Sequence, residues 1–269
     1  MAKLELRRRW RNLSRMRRLG IQLILLLPVA WLFLAAFGYP HLTAEWALRD
    51  LERQNLLPAG TITGWADVEG LTTYQSAPGY TGYGLRLSGG EERTFRVFRL
   101  EYPDGAVRLG VVQHSLLAWD GMDLWEAGDG LSSSALGSKQ NICWELEDFG
   151  IESMDWSYLL YVDDPAVERV ELTMAVTARR IGQNGAVQET KRNLTATEAV
   201  PVEGLEGLWT CKAALVPPEW DEVGEGGNSS SWGFWSARAL AADGTVLYEE
   251  LSDQAAEVQA AGPDGTNAA

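Results

Sequence analysis

From Leu19 to Phe37 the chain runs 19 residues without a charge, and Gln22 is the only strongly polar side chain among them. A helix of that length rises roughly 28 Å, close to the hydrocarbon thickness of a bilayer. Cores of cleaved signal peptides are shorter, about 7–15 residues. Pro28 interrupts the run but is better tolerated in membrane helices than in soluble ones. Trp31 and Tyr39 fall toward its outer end, where amphipathic rings favour the interface. The run predicts a transmembrane helix over residues 19–38, with the lipid bilayer as its partner. A cleavage reading stays open, because Ala36 and Gly38 are small residues at the −3 and −1 positions of a cut before Tyr39.

Charge sets the orientation. Residues 1–18 hold eight of the 23 basic residues and one acid, Glu5, while the rest of the chain carries 36 acids. Only Arg49 and Arg53 occur in the 20 residues after the run. The positive-inside rule therefore expects the tail in the cytoplasm and everything from Tyr39 onward outside, as a single-pass membrane protein. The acidic body is repelled by phosphate backbones, which argues against a nucleic-acid partner.

Beyond the run, "HLTAEWALRDLERQNLLPAG" predicts one amphipathic juxtamembrane helix. Thr43 is a good N-cap, Ala44, Ala47, Leu48 and Leu51 share a face, and Pro58 with Gly60 end it. Alternating segments then predict strands. Pro103-Asp104-Gly105, Asn184-Gly185 and Asp243-Gly244 each mark a hairpin. In "VERVELTMAVTAR" Val170, Leu172, Met174 and Val176 point one way, and in "GLWTCKAALV" Trp209, Cys211, Ala213 and Leu215 do so. Strands joined by turns, without helical crossovers, predict a mainly β, antiparallel, sandwich-like body. A boundary near Gly150 would divide a helix-plus-strands half, 39–150, from a sandwich-like half, 151–251. Residues 252–269 have little apolar surface to bury and read as a disordered tail.

"YVDDPAVERVELTMAV", followed about 60 residues later by "FWSARALAADGTVLYEE", resembles a pattern of uncharacterised single-pass envelope proteins of Gram-positive bacteria. In that group an Asp-Pro turn leads into a V-x-V strand and a D-x-D-G-x-V-L-Y hairpin closes a small β-domain. Here Ala241 stands where the first Asp of the hairpin would be. The resemblance spans residues 155–251 and implies a fold and an envelope location. It carries over no catalytic residue.

Chemistry is harder to find. The two histidines, His41 and His114, accompany no nucleophile or metal-ligand pattern, and no G-x-S-x-G, H-E-x-x-H or phosphate-binding glycine motif occurs. Asp120, Asp123, Glu126 and Asp129 could offer oxygens to Ca²⁺, but their spacing departs from the EF-hand loop and an acidic segment is more often simply solvated. Cys143 and Cys211 form either a disulfide or two free thiols. An oxidising exterior permits the bond, whereas strand alternation turns Cys143 toward Glu145 and Glu147 and Cys211 toward Trp209. Tyr74, Tyr80 and Tyr83 gather in the Gly-rich segment "TYQSAPGYTGYG", where exposed aromatics could hold a sugar or peptide. No cofactor is implied. The sequence favours a non-enzymatic extracytoplasmic module that binds an envelope glycan or protein. The alternatives are a glycan hydrolase using carboxylates that sequence does not single out, and a structural or sensory membrane subunit.

Overall fold

The computed structural model describes residues 14–36, 41–73, 90–115, 118–128, 130–145, 148–219 and 228–261. Helix α1 spans Arg15–Ala36, α2 spans Ala44–Gln54 and α3 spans Asp253–Ala261. Among the described residues, twelve strands run between α2 and α3 in three four-stranded antiparallel sheets. The first sheet comprises β1 (Thr61–Thr73), β2 (Gly90–Glu101), β3 (Val107–Ser115) and β4 (Ala118–Glu126), in chain order. The second holds β5 (Ser132–Glu145), β6 (Asp148–Tyr161), β10 (Leu208–Leu215) and the two-residue β9 (Val200–Pro201). The third is ordered β12 (Val246–Leu251), β11 (Asn228–Leu240), β7 (Arg169–Ile181) and β8 (Val187–Glu198).

The second sheet is the middle layer. On one face Tyr158, Leu160, Cys211, Ala213 and Leu215 pack against Val170, Leu172, Met174 and Val176 of the third sheet. On the other, Leu159, Tyr161 and Leu208 pack against Val68, Phe95, Val97, Leu109 and Val111 of the first. The far face of the first sheet is covered in turn by α2, through Ala44, Ala47 and Leu48 on Phe98, Leu100 and Val112. The layers thus run helix, sheet, sheet, sheet. Because both faces of β6 are covered, its end reads Tyr158-Leu159-Leu160-Tyr161-Val162 without a polar break, the pattern of a strand buried on both sides. The first and middle sheets approach closely at Gly70, where an added Cβ would lie 2.7 Å from Leu136 Cδ1. Beside it the Leu71 amide donates to the buried Ser157 hydroxyl at 3.0 Å.

The three expected hairpins form with one geometry. In each, the residue opening the turn donates its amide to the carbonyl four residues on, as Gly182 does to Ala186. Asp104, Asn184 and Asp243 accept the amide two residues later, at 3.0, 3.0 and 2.9 Å. The following glycines adopt φ of 86°, 78° and 85°, a left-handed conformation that a side chain would strain. Helix α2 begins as expected, with the Thr43 hydroxyl accepting the Trp46 amide at 3.2 Å. Its apolar face is the one read from sequence, extended by Glu52, which is only 1% exposed. Glu52 accepts the Gly60 amide at 2.7 Å, the Tyr102 hydroxyl at 2.9 Å and Arg49 Nη1 at 2.7 Å. A buried carboxylate is tolerated when it is paired and hydrogen-bonded in this way.

Two expectations about organisation are corrected. Residue 150 lies inside β6, paired with Cys143 of β5, and the middle sheet draws strands from both sides of it. Part of the expected tail 252–269 is helical: α3 is capped by Ser252, which accepts the Ala255 amide, and Ala255 is buried. An alanine-rich segment needs only a good cap and one docking residue to hold a short helix. Among the described residues no helix is long and apolar enough to cross a membrane, the side chains described on α1 ending at Leu32.

Leu159 and Leu160 are both fully buried but belong to different cores. Leu159→Ala and Leu160→Ala should each destabilise the protein by about 2–5 kcal/mol. Equilibrium denaturation is the check, and a loss for only one of them would mean that one face of β6 is open.

Candidate functional site

Strand β6 ends where the three sheets meet, and its exit is the turn Asp163-Asp164-Pro165. Two clefts flank this turn and share Val162, Asp163 and Asp164 in their walls. One, of about 310 Å³, lies toward the β9–β10 connection and adds Pro201, Leu205, Glu206 and Trp209. The other, of about 290 Å³, lies toward the first sheet and adds Val107, Ala127, Tyr161 and Tyr248. Each is near the lower limit of ligand-sized pockets.

The carboxylates of the turn are held by donors from neighbouring layers. Arg99 of β2 reaches Asp163 at 3.2 Å, Glu101 at 2.5 Å and the Tyr161 hydroxyl at 3.0 Å. Partial burial is the largest single influence on the guanidinium and lowers its proton affinity, but the Tyr161 phenol, Glu101 and Asp163 together outweigh it and the affinity is raised. Asp164 accepts the Tyr248 hydroxyl at 2.9 Å and the Ala166 amide at 2.9 Å. Asp163 is 61% exposed in spite of its ion pair, so an incoming ligand can still reach it. The site therefore presents carboxylate oxygens beside apolar walls, which suits a ligand that supplies hydrogen-bond donors and a flat apolar surface.

The residues singled out from sequence are distributed elsewhere. Tyr74, Tyr80 and Tyr83 lie outside the described residues, as does Asp129. Asp120, Asp123 and Glu126 are strung along strand β4, not gathered in a loop. Asp123 accepts the Ser134 hydroxyl at 2.6 Å, and Glu126 pairs with Arg108 at 3.4 Å. Among the described residues no group of three or more His, Cys, Asp or Glu could hold a metal ion. His41 bridges by backbone to Trp119 and approaches Asp50 at 3.5 Å, and His114 packs edge-on against Trp119.

Cys211 is a free, buried thiol. Cys143 stands opposite Gly150 on β6, whereas Cys211 stands opposite Tyr158, roughly 26 Å further along the same strand. A disulfide needs Cα atoms within about 7 Å, so this pairing is excluded. β5 and β10 flank β6 on opposite sides, with Cys143 and Cys211 at different levels along it, a separation that alternation alone does not reveal.

Asp163, Asp164, Arg99 and Tyr248 were not selected from sequence as a site. The one signal was the unbroken apolar run Tyr158–Val162 stopping abruptly at two acids and a proline, which marks a strand leaving a doubly covered layer. What the fold defines is a three-layered antiparallel β body with a helix on one outer face. No family model, curated protein or solved structure matches the chain.

Burial pushes the Cys211 thiol up from 9.0 to about 11, and the Tyr158 phenol in the same core from 10.0 to about 12, with Glu250 adding to the latter. Both groups hold their protons more tightly folded than unfolded. Their contribution to stability is complete below about pH 9 and is lost as pH rises through the folded values. Stability should fall between pH 9 and 11, and Cys211→Ala should remove about 2–3 kcal/mol of that fall. Denaturant titrations across this range measure it, and an unchanged slope in the variant would refute the assignment.

Proposed function

We propose that the chain is a single-pass membrane protein whose β body is held outside the cytoplasm as a non-catalytic module binding an envelope glycan or protein. The observation that carries the anchor is the exposure of α1. Leu23, Ile24, Leu25, Leu26, Leu27 and Val29 are each 56–68% exposed on consecutive turns, so no single face is available to pack on the body. A helix whose apolar side chains are exposed on every side over Leu23–Val29 among the described residues suits lipid better than water. The described side chains stop at Leu32, but the uncharged run continues in sequence to Phe37. The eight basic residues before the run support the orientation.

The cleft pair at Asp163-Asp164 supports the binding role. Its carboxylates are engaged by Arg99, Tyr248 and Ala166, an arrangement that fixes their positions for recognition. Because Glu206 also lines one cleft, glycan hydrolysis is the competing reading, and it needs two carboxyl groups acting as a pair.

Two measurements test the proposal. The protein should remain in membranes through alkaline carbonate extraction, with its N-terminus intact; release, or a mature chain beginning at Tyr39, would overturn the anchor. Full-length protein in detergent should retain a glycan or protein from envelope extract that the Asp163→Ala/Asp164→Ala variant loses. Equal retention would remove the cleft from binding, and new reducing ends generated from envelope glycan would overturn the non-catalytic reading.

A further inference from the structure

Strand β12 is an edge of the third sheet and pairs with β11 alone. Tyr248 and Glu250 stand two residues apart on it and share its inward face. The Tyr248 hydroxyl donates to Asp164 at 2.9 Å, and Tyr248 walls the 290 Å³ cleft together with Val107 and Ala127. Glu250 instead turns into the gap between the third and middle sheets, beside Tyr158 of β6 and the Ser133 hydroxyl of β5.

The surroundings of Glu250 give a charge nothing to pair with. Ser133 is neutral, and Tyr158 holds its proton up to about 12. Across from Glu250 on β11 lies the fully buried Ala237, while Arg238 of the same strand is engaged by Glu249 on the other face at 2.6 Å. Glu250 Oε2 is buried without a hydrogen-bond partner among the described residues. Glu52, by contrast, takes three donors. A buried carboxylate oxygen that lacks a donor penalises the ionised form. Burial accordingly pushes the Glu250 carboxyl above its ordinary 4.5, with the Ser133 hydroxyl opposing. The stability tied to the protonated form is complete below the ordinary value and is lost as pH rises through the higher folded value. The strand that carries this group is also lightly held. It has six residues, its pairing with β11 shifts register at Ala239/Leu240, and it leads into α3, whose buried side chain is Ala255.

We propose that Glu250 is a proton-operated latch on β12: protonated, it seats the strand on the middle sheet and holds Tyr248 in the cleft wall, and ionised, it loosens both. The cleft wall is then firm in acid and loose toward neutral pH. That the cleft binds a ligand rests on the function proposed above, whereas the latch does not depend on it.

The test uses the full chain in detergent, with amide hydrogen exchange over residues 246–251 followed from about pH 4.5 to 8 and corrected for the intrinsic chemical rate. Protection should fall at least about fivefold across this range, since one unit of displaced pKa is a tenfold change in the opening equilibrium. In Glu250→Gln, which is neutral at every pH, protection should stay high and flat. In a second measurement, Ala127→Cys in a Cys143→Ser background reports the cleft wall. Its rate of reaction with a thiol reagent, relative to Gln183→Cys, should rise over the same range with Glu250 present and stay constant with Gln. Flat protection in the wild type, or an equal fall in Glu250→Gln, would overturn the latch. Falling protection with a constant relative rate at 127 would overturn its coupling to the cleft. Latch behaviour in both measurements, together with equal retention of envelope material by the Asp163→Ala/Asp164→Ala variant, would overturn the binding role and leave the latch standing.

Discussion

The structure depends on a sheet covered on both sides. Strand β6 contributes Leu159 and Tyr161 to one core and Tyr158 and Leu160 to the other, so two hydrophobic interfaces are fixed by one strand. A register slip of one residue would exchange these sets and place each side chain against the wrong layer. Fully burying a large apolar side chain is worth about 1.5–3 kcal/mol, and four consecutive positions of β6 act in this way. The exit of that strand is also where the layers can no longer cover one another. The two clefts lie there, and Arg99 of the first sheet meets the Asp163-Asp164 turn there.

Local features were legible in the sequence because their causes are local. An Asp or Asn before Gly closes each of three hairpins through the same side-chain contact, and Thr43 caps α2 with its own hydroxyl. Alternation assigned the inward faces of β7 and β10 correctly, but it says nothing of what covers them. Hence the antiparallel β class was readable, whereas the three-layer stacking was not. The same gap explains the boundary expected at Gly150, which falls within the strand that joins the layers. Glu52 was missed because its burial depends on partners 8 and 50 residues away, Gly60 and Tyr102. The helix after Ser252 was missed because composition registers low hydrophobicity and overlooks a cap.

The candidate site was less legible than the fold. Sequence reading looked for chemistry in groups of like residues, the acids of 120–129 and the tyrosines of 74–83. The acids within the described residues lie along one strand and bind neighbouring side chains. The Asp163-Asp164 turn instead gathers single partners from β2 and β12, over 149 positions of chain from Arg99 to Tyr248. No local pattern encodes such a convergence.

The central claim is that the basic tail and the β body lie on opposite sides of a membrane. Labelling intact cells with a membrane-impermeant thiol reagent tests it most directly, using Gln183→Cys at an exposed hairpin in a Cys143→Ser background. The account predicts labelling at position 183 without lysis and no labelling of a cysteine placed at Ser14 until the cells are opened. Labelling at 183 only after lysis would contradict it.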